Sequence, residues 1–187
     1  MTQELTQDQI KEFVLAAHGD FEKVKTLLAQ EPRLLKGRYL EFDESGLEAA
    51  SHVGNHQIAE YLLSKGETMT ICSAAMLGLA DEVAEFLEAD PNLANARGAH
   101  GISLMFHAAL SGNTAVTDLL IAHGGGEGLD QSLHAAVRLG HLDMTRWLLE
   151  RGADLNVKNF QGKAPLEVAL EQDDAQIVEL LQKHSGA

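Results

Sequence analysis

Cysteine is nearly absent from this 187-residue chain, and Cys72 is its only thiol. That excludes an intrachain disulfide framework and any zinc cluster built on cysteines. Aromatic residues make up 5% and there are three prolines, so a core must come mainly from Leu, Ala, Val and Ile. Basic residues are scarce as well, 14 against 28 acidic, for a net charge of −14. Such a surface repels phosphates and anionic lipid, and no local run of Lys or Arg reverses it, so neither nucleic acid nor membrane is an expected partner. No apolar run approaches the length of a membrane span. The first residues, MTQELTQDQIKEF, lack the basic-then-apolar order of a secretion signal, and Asn-x-Ser/Thr acceptors are missing. A reducing, cytoplasmic setting is expected.

What the chain does have is a period. Glycines 19, 54, 78, 112 and 140, with Asp173 in the same slot, are each followed eight and nine residues later by an apolar pair or its remnant. These are Leu27-Leu28, Leu62-Leu63, Phe86-Leu87, Leu120-Ile121, Leu148-Leu149 and Leu181-Gln182. Small residues precede several anchors by three and four positions, as in Ala50-Ser51, Ala74-Ala75 and Ala108-Ala109. The pattern predicts two short helices per unit, the first ending at a residue that tolerates left-handed geometry. Helices so short are marginal alone, so each unit must bury its apolar face against the next in a stacked solenoid.

The stretch LHAAVRLGHLDMTRWLLERGADLN, Leu133 to Asn156, carries a family resemblance. Its Leu-His-Ala-Ala, Gly-His, Leu-Leu and Gly-Ala-Asp-Leu-Asn elements resemble an ankyrin repeat, and Lys163-Ala164-Pro165-Leu166 is similar to the family's Thr-Pro-Leu-His opening. The resemblance extends over about residues 8–187. It implies an all-α ankyrin-repeat solenoid with short β-fingers, as one domain of six repeats near 8–43, 44–67, 68–100, 101–128, 129–161 and 162–187. Anchors at 19, 54, 78, 112, 140 and 173 are spaced 35, 24, 34, 28 and 33 residues apart, against about 33 in a regular array. Fingers are therefore expected after the first, third and fifth repeats (36–44, 94–101, 156–162) and clipped after the second and fourth. Thr6 to Gln9 has the form of a capping box, Asp173 should adopt a left-handed conformation, and Trp147 should lie in the inter-repeat core.

Nothing along the sequence asks to be an active site. His52 and His56 are separated by a helix-breaking Gly54, and His18, His100, His107 and His123 lack partners at ligand spacing. His134 and His141 fall in the two slots where the resemblance implies turn-organising hydrogen bonds to backbone. Cys72 falls inside a first helix, where a buried thiol is inert, and Gly124–Gly126 is not followed by the Gly-Lys-Ser/Thr of a phosphate loop. No catalytic, cofactor or metal residues are assigned and a non-enzymatic protein is expected.

The resemblance implies protein binding through the concave side, formed by finger tips and the two residues before each anchor. His52, Val53, Met76, Leu77, Leu110, Arg138 and Leu139 are the expected contacts there, with Tyr39, Phe42, His100 and Phe160 from the fingers. Val53, Met76, Leu77, Leu110 and Leu139 form an apolar stripe for a protein partner or a second copy of this chain; packing under fingers or shortened loops is the alternative. Two other readings remain open: a small-ligand or enzymatic pocket near Cys72, His107 and His134, and an acidic decoy for a basic partner, whose binding would collapse with salt.

Overall fold

The computed structural model describes residues 4–186 and contains six helical hairpins in succession. They are α1 (Gln7–Ala17) with α2 (Phe21–Gln30), α3 (Gly46–Val53) with α4 (His56–Ser64), and α5 (Ile71–Leu77) with α6 (Ala80–Ala89). The remaining three are α7 (Leu104–Ser111) with α8 (Thr114–Ala122), α9 (Leu129–Arg138) with α10 (Leu142–Glu150), and α11 (Pro165–Glu171) with α12 (Ala175–Ser185). Together they form an all-α solenoid.

Local chemistry sets the helix ends. Thr6, Ser45, Thr70 and Ser103 each accept a hydrogen bond from the amide three residues on, and Asp20, Asn55 and Asp174 do the same for second helices. The expected capping box at Thr6 is present, with the Gln9 side chain reaching back to the Thr6 amide. First helices stop at left-handed glycines such as Gly112 (φ 72°), where a Cβ would come within 2.8 Å of the His141 ring. Asp173 takes the same conformation (φ 54°), as its slot predicts, whereas Gly19 is not left-handed.

First helices pack through alanines, and Ala49, Ala50, Ala74, Ala75, Ala108, Ala109 and Ala136 are fully buried. Small side chains let neighbouring backbones approach closely, so these helices form the inner wall. Second helices contribute pairs one turn apart, including Val24 and Leu28, Ile58 and Leu62, Val83 and Leu87, and Met144 and Leu148. Each such side chain contributes roughly 1.5–3 kcal/mol when fully buried. Trp147 is in this core as expected, with its Nε1–H donating to Asp118 at 2.8 Å and the Arg151 guanidinium 3.7 Å over its ring.

The long connections differ from one another. The first forms an antiparallel two-residue ladder, β1 (Arg38–Tyr39) with β2 (Glu44–Ser45). The third has a single bridge, Arg97 to Ser103. The fifth has no strand: the Asn159 side chain accepts from the amides of Gln161 and Lys163, replacing a ladder with a local turn. The second and fourth connections are short turns.

Candidate functional site

The concave side divides into two regions. In the first, the array closes on itself. A Cβ on Gly54, between α3 and α4, would lie 3.3 Å from Leu110 and 3.7 Å from Leu139, two and three hairpins further along. The guanidinium of Arg138 reaches the Val53 carbonyl at 3.5 Å. Contacts across that span require tight curvature, and the curvature overturns part of the expected apolar stripe. Met76 and Leu110 are 0% and 1% exposed, so neither can meet a partner or a second copy. Val53 and Leu77 are half-buried, and Leu139 keeps an exposed edge.

Beside this closure lies a carboxylate surrounded by histidines. Glu44, at the start of β2, is 0% exposed, and neither of its oxygens has a hydrogen-bond partner. His52 Nδ1 from α3 approaches Oε1 to 2.9 Å, but the oxygen does not lie along its N–H direction. His100 Nε2, from the third connection, is 3.3 Å from the same oxygen. His18 Nε2, at the end of α1, is 3.8 Å from Oε2. Burial pushes the Glu44 pKa up, but the imidazoles of His52, His18 and His100 outweigh burial and hold it below the usual range.

Rings close over the group edge to face: His18 on His52 (4.9 Å), His52 on His100 (5.2 Å), His100 on Phe42 (5.9 Å) and Phe42 on Tyr39 (5.1 Å). Tyr39, expected at an exposed finger tip, is buried because β1 folds against α1, so it is not a partner contact. His52 is likewise turned inward toward Glu44, while Phe42 and His100 remain partly open. Ligand atoms of His18, Glu44 and His52 all lie within 4.8 Å of one another, a set able to hold a metal ion. Spacing along the chain did not show it, because the four side chains come from four separate segments.

The second region is open. Between α7, α9, α11 and the fifth connection is a groove of about 440 Å³ lined by Phe106, His134, Arg138, Phe160, Val168 and Glu171 among others. Phe160 stands at its rim, 96% exposed. A second concavity, holding Arg97, His100 and Ile102, shares Phe106 and Gln131 with it. The groove therefore brings Arg138 and Phe160 together, with His100 next door. Phe106, Val168 and His134 were missed as contacts. Phe106 lies three residues after Ser103, the cap of α7, and so outside the pair before each anchor where contacts are expected. Among the described residues the Arg138 guanidinium meets the Val53 carbonyl and no carboxylate, and burial lowers its pKa.

The histidines in the two implied slots bond backbone as expected: His134 Nε2 lies 2.7 Å from the Val157 carbonyl and His141 Nε2 3.0 Å from that of Leu110. Cys72 and His107 both pack against Gly98, where a Cβ would meet their side chains. Burial pushes the Cys72 thiol up to about 12 and the His107 imidazole down to about 4. Both are neutral near pH 7, so they do not form an activated thiolate pair, and His134 lies apart from them in the groove.

A family model described as ankyrin repeats (3 copies) matches residues 71–159 and 130–187. The chain is 32% identical over 129 residues to cyclin-dependent kinase 4 inhibitor B of Homo sapiens, covering 65% of this chain and 91% of that protein. It is 31% identical over 124 residues to human cyclin-dependent kinase inhibitor 2A, or 62% of this chain and 77% of that one. A probable E3 ubiquitin-protein ligase of Oryza sativa subsp. japonica matches at 43% over 54 residues, only 10% of its length. Among the described residues, no helix is long and apolar enough to cross a membrane.

Proposed function

The chain belongs to the ankyrin-repeat family, and we propose that it is a non-enzymatic scaffold holding a segment of another protein in the groove between α9, α11 and the fifth connection. The open groove with Phe160 at its rim carries this reading. It offers apolar walls in Phe106, Phe160 and Val168, and one cation, Arg138, without an acidic partner. Aromatic and arginine side chains are the commonest strong anchors at protein interfaces. An occupant fitting this chemistry presents apolar side chains to the rings and an acceptor group to Arg138. Two relatives are named as inhibitors of a kinase, itself a protein, which agrees with a protein partner.

In this reading the six hairpins are the repeats of one domain, working in the cytoplasm. Expected contacts shift from the apolar stripe toward the end of the array: Arg138, Leu139, Phe160 and His100 stay, with Phe106 and Val168 added. Affinity capture with the wild-type chain and a Phe160→Ala/Arg138→Glu variant tests it. Loss of the captured partner from the variant, at unchanged circular dichroism, supports the reading. Retention of every partner overturns it.

A further inference from the structure

The histidine-ringed carboxylate lies outside that groove, and of its side chains only His100 is among the expected protein contacts. A buried carboxylate whose oxygens lack an aligned hydrogen bond is costly unless positive charge compensates it. Three imidazole nitrogens face it, at 2.9, 3.3 and 3.8 Å. For His18 the chain selects the orientation of the free nitrogen: Nδ1 lies 3.0 Å from the Val14 carbonyl, so Nδ1–H donates there. In the neutral ring Nε2 then carries a lone pair, 3.8 Å from Glu44 Oε2. A lone pair facing a carboxylate at 3.8 Å is repulsive; a proton on Nε2 relieves this at low pH, and a bound cation relieves it when the ring is neutral. Histidine ligands to metals are commonly oriented by such an N–H to carbonyl bond.

Spacing agrees with this. Bonds of about 2.0–2.1 Å to a tetrahedral zinc-type ion place ligand atoms roughly 3.3 Å apart. His52 and His100 lie 2.9 and 3.3 Å from Oε1 and His18 3.8 Å from Oε2. The ligand atoms of His18, Glu44 and His52 are all within 4.8 Å of one another, so a small inward shift completes the shell. Backbone strain is also concentrated here. Of the three non-glycine residues with left-handed φ among those described, Asp43 (φ 51°) precedes Glu44 and His100 (φ 57°) faces it. Such strain costs of order 1 kcal/mol or more per residue and gathers at functional sites.

We propose that His18, Glu44 and His52 bind a first-row transition-metal dication of the Zn²⁺ type, with His100 facing the fourth position. The ion ties the end of α1, the first finger and α3 together, and holds the third connection against them through His100. Nitrogen donors with a single carboxylate favour this class over Ca²⁺ or Mg²⁺, which prefer all-oxygen shells.

The test is titration calorimetry with Zn²⁺ alone on the full chain after chelator treatment and dialysis. One equivalent is expected to bind with roughly micromolar affinity or tighter, and the melting temperature rises with added Zn²⁺. His18→Gln and His52→Gln should each weaken binding at least roughly 100-fold, while His123→Gln, on an exposed helix end outside the cluster, leaves it unchanged. His18 is partly exposed, so if His52→Gln fails to fold by circular dichroism, His18→Gln decides alone. Absence of uptake, or an isotherm that His18→Gln does not alter, overturns the proposal.

Discussion

The two halves of the concave side use the same scaffold positions in opposite ways. Toward the N-terminus the wall is closed: Gly54 meets Leu110 and Leu139, and the first finger folds over Glu44. Toward the C-terminus it stays open, with Phe160 projecting beside a groove. The finger makes much of the difference. In the first connection a backbone ladder, with Arg38 pairing Asp43 and Glu48, packs Tyr39 inward. In the fifth, an asparagine side chain satisfies the turn instead, and the aromatic at the tip is left without cover. A residue's repeat position therefore does not decide whether it is buried; the curvature and the finger beside it do.

Breaking the closed half should cost the most. Leu110→Ala removes a fully buried side chain from the contact with Gly54, and a loss of roughly 2–5 kcal/mol is expected from the shift in urea midpoint. A loss under about 1 kcal/mol would mean that the curvature does not depend on this contact.

Acidification should act on the same half through His107. Burial holds its folded pKa at about 4, while the unfolded imidazole protonates near 6.5. As pH falls below about 6.5 the unfolded chain takes up a proton that the folded chain refuses, so stability present above that pH is lost toward pH 4. The full effect is about 3 kcal/mol. His107→Gln should flatten the stability profile over this window relative to wild type; equal slopes would place the acid sensitivity elsewhere.

Smaller effects follow at the fingers. Arg38→Met loses exposed ion pairs to Asp43 and Glu48 and should cost about 0.5–1 kcal/mol. Hydrogen exchange at the paired Tyr39 and Glu44 amides should rise with it; unchanged exchange would show that the ladder does not depend on Arg38. Phe160→Ala should change stability by less than about 0.5 kcal/mol, because the ring is almost fully exposed. A larger loss would show that the open half is packed against something of its own.

Much of the architecture was legible along the chain because its signals are local. Small residues before a glycine, an apolar pair after it, the Thr6 box and the left-handed Asp173 all depend on neighbours within a turn or two. Trp147 and the two backbone-bonding histidines, His134 and His141, were readable from their slots in the repeat, although their partners Asp118, Val157 and Leu110 lie far along the chain. The site was only partly legible. Phe160 and Arg138 stood out by residue type and slot, whereas Phe106 did not. The assembly of His18, Glu44, His52 and His100 had no signature, since each occupies an ordinary slot in its own segment.

By itself, then, the sequence determined the number and type of helical hairpins, the places where connections are long or short, though not that the fifth lacks a strand, and the acidic, cysteine-poor character of the chain. Tertiary structure decided which concave residues are buried, which finger covers a charge, and which histidines meet. The physical reason is that helix ends and apolar faces are set by interactions between near neighbours, whereas curvature accumulates small rotations from repeat to repeat. Only that accumulated bend brings Val53 to Arg138, 85 residues away, and closes one half of the wall while leaving the other open.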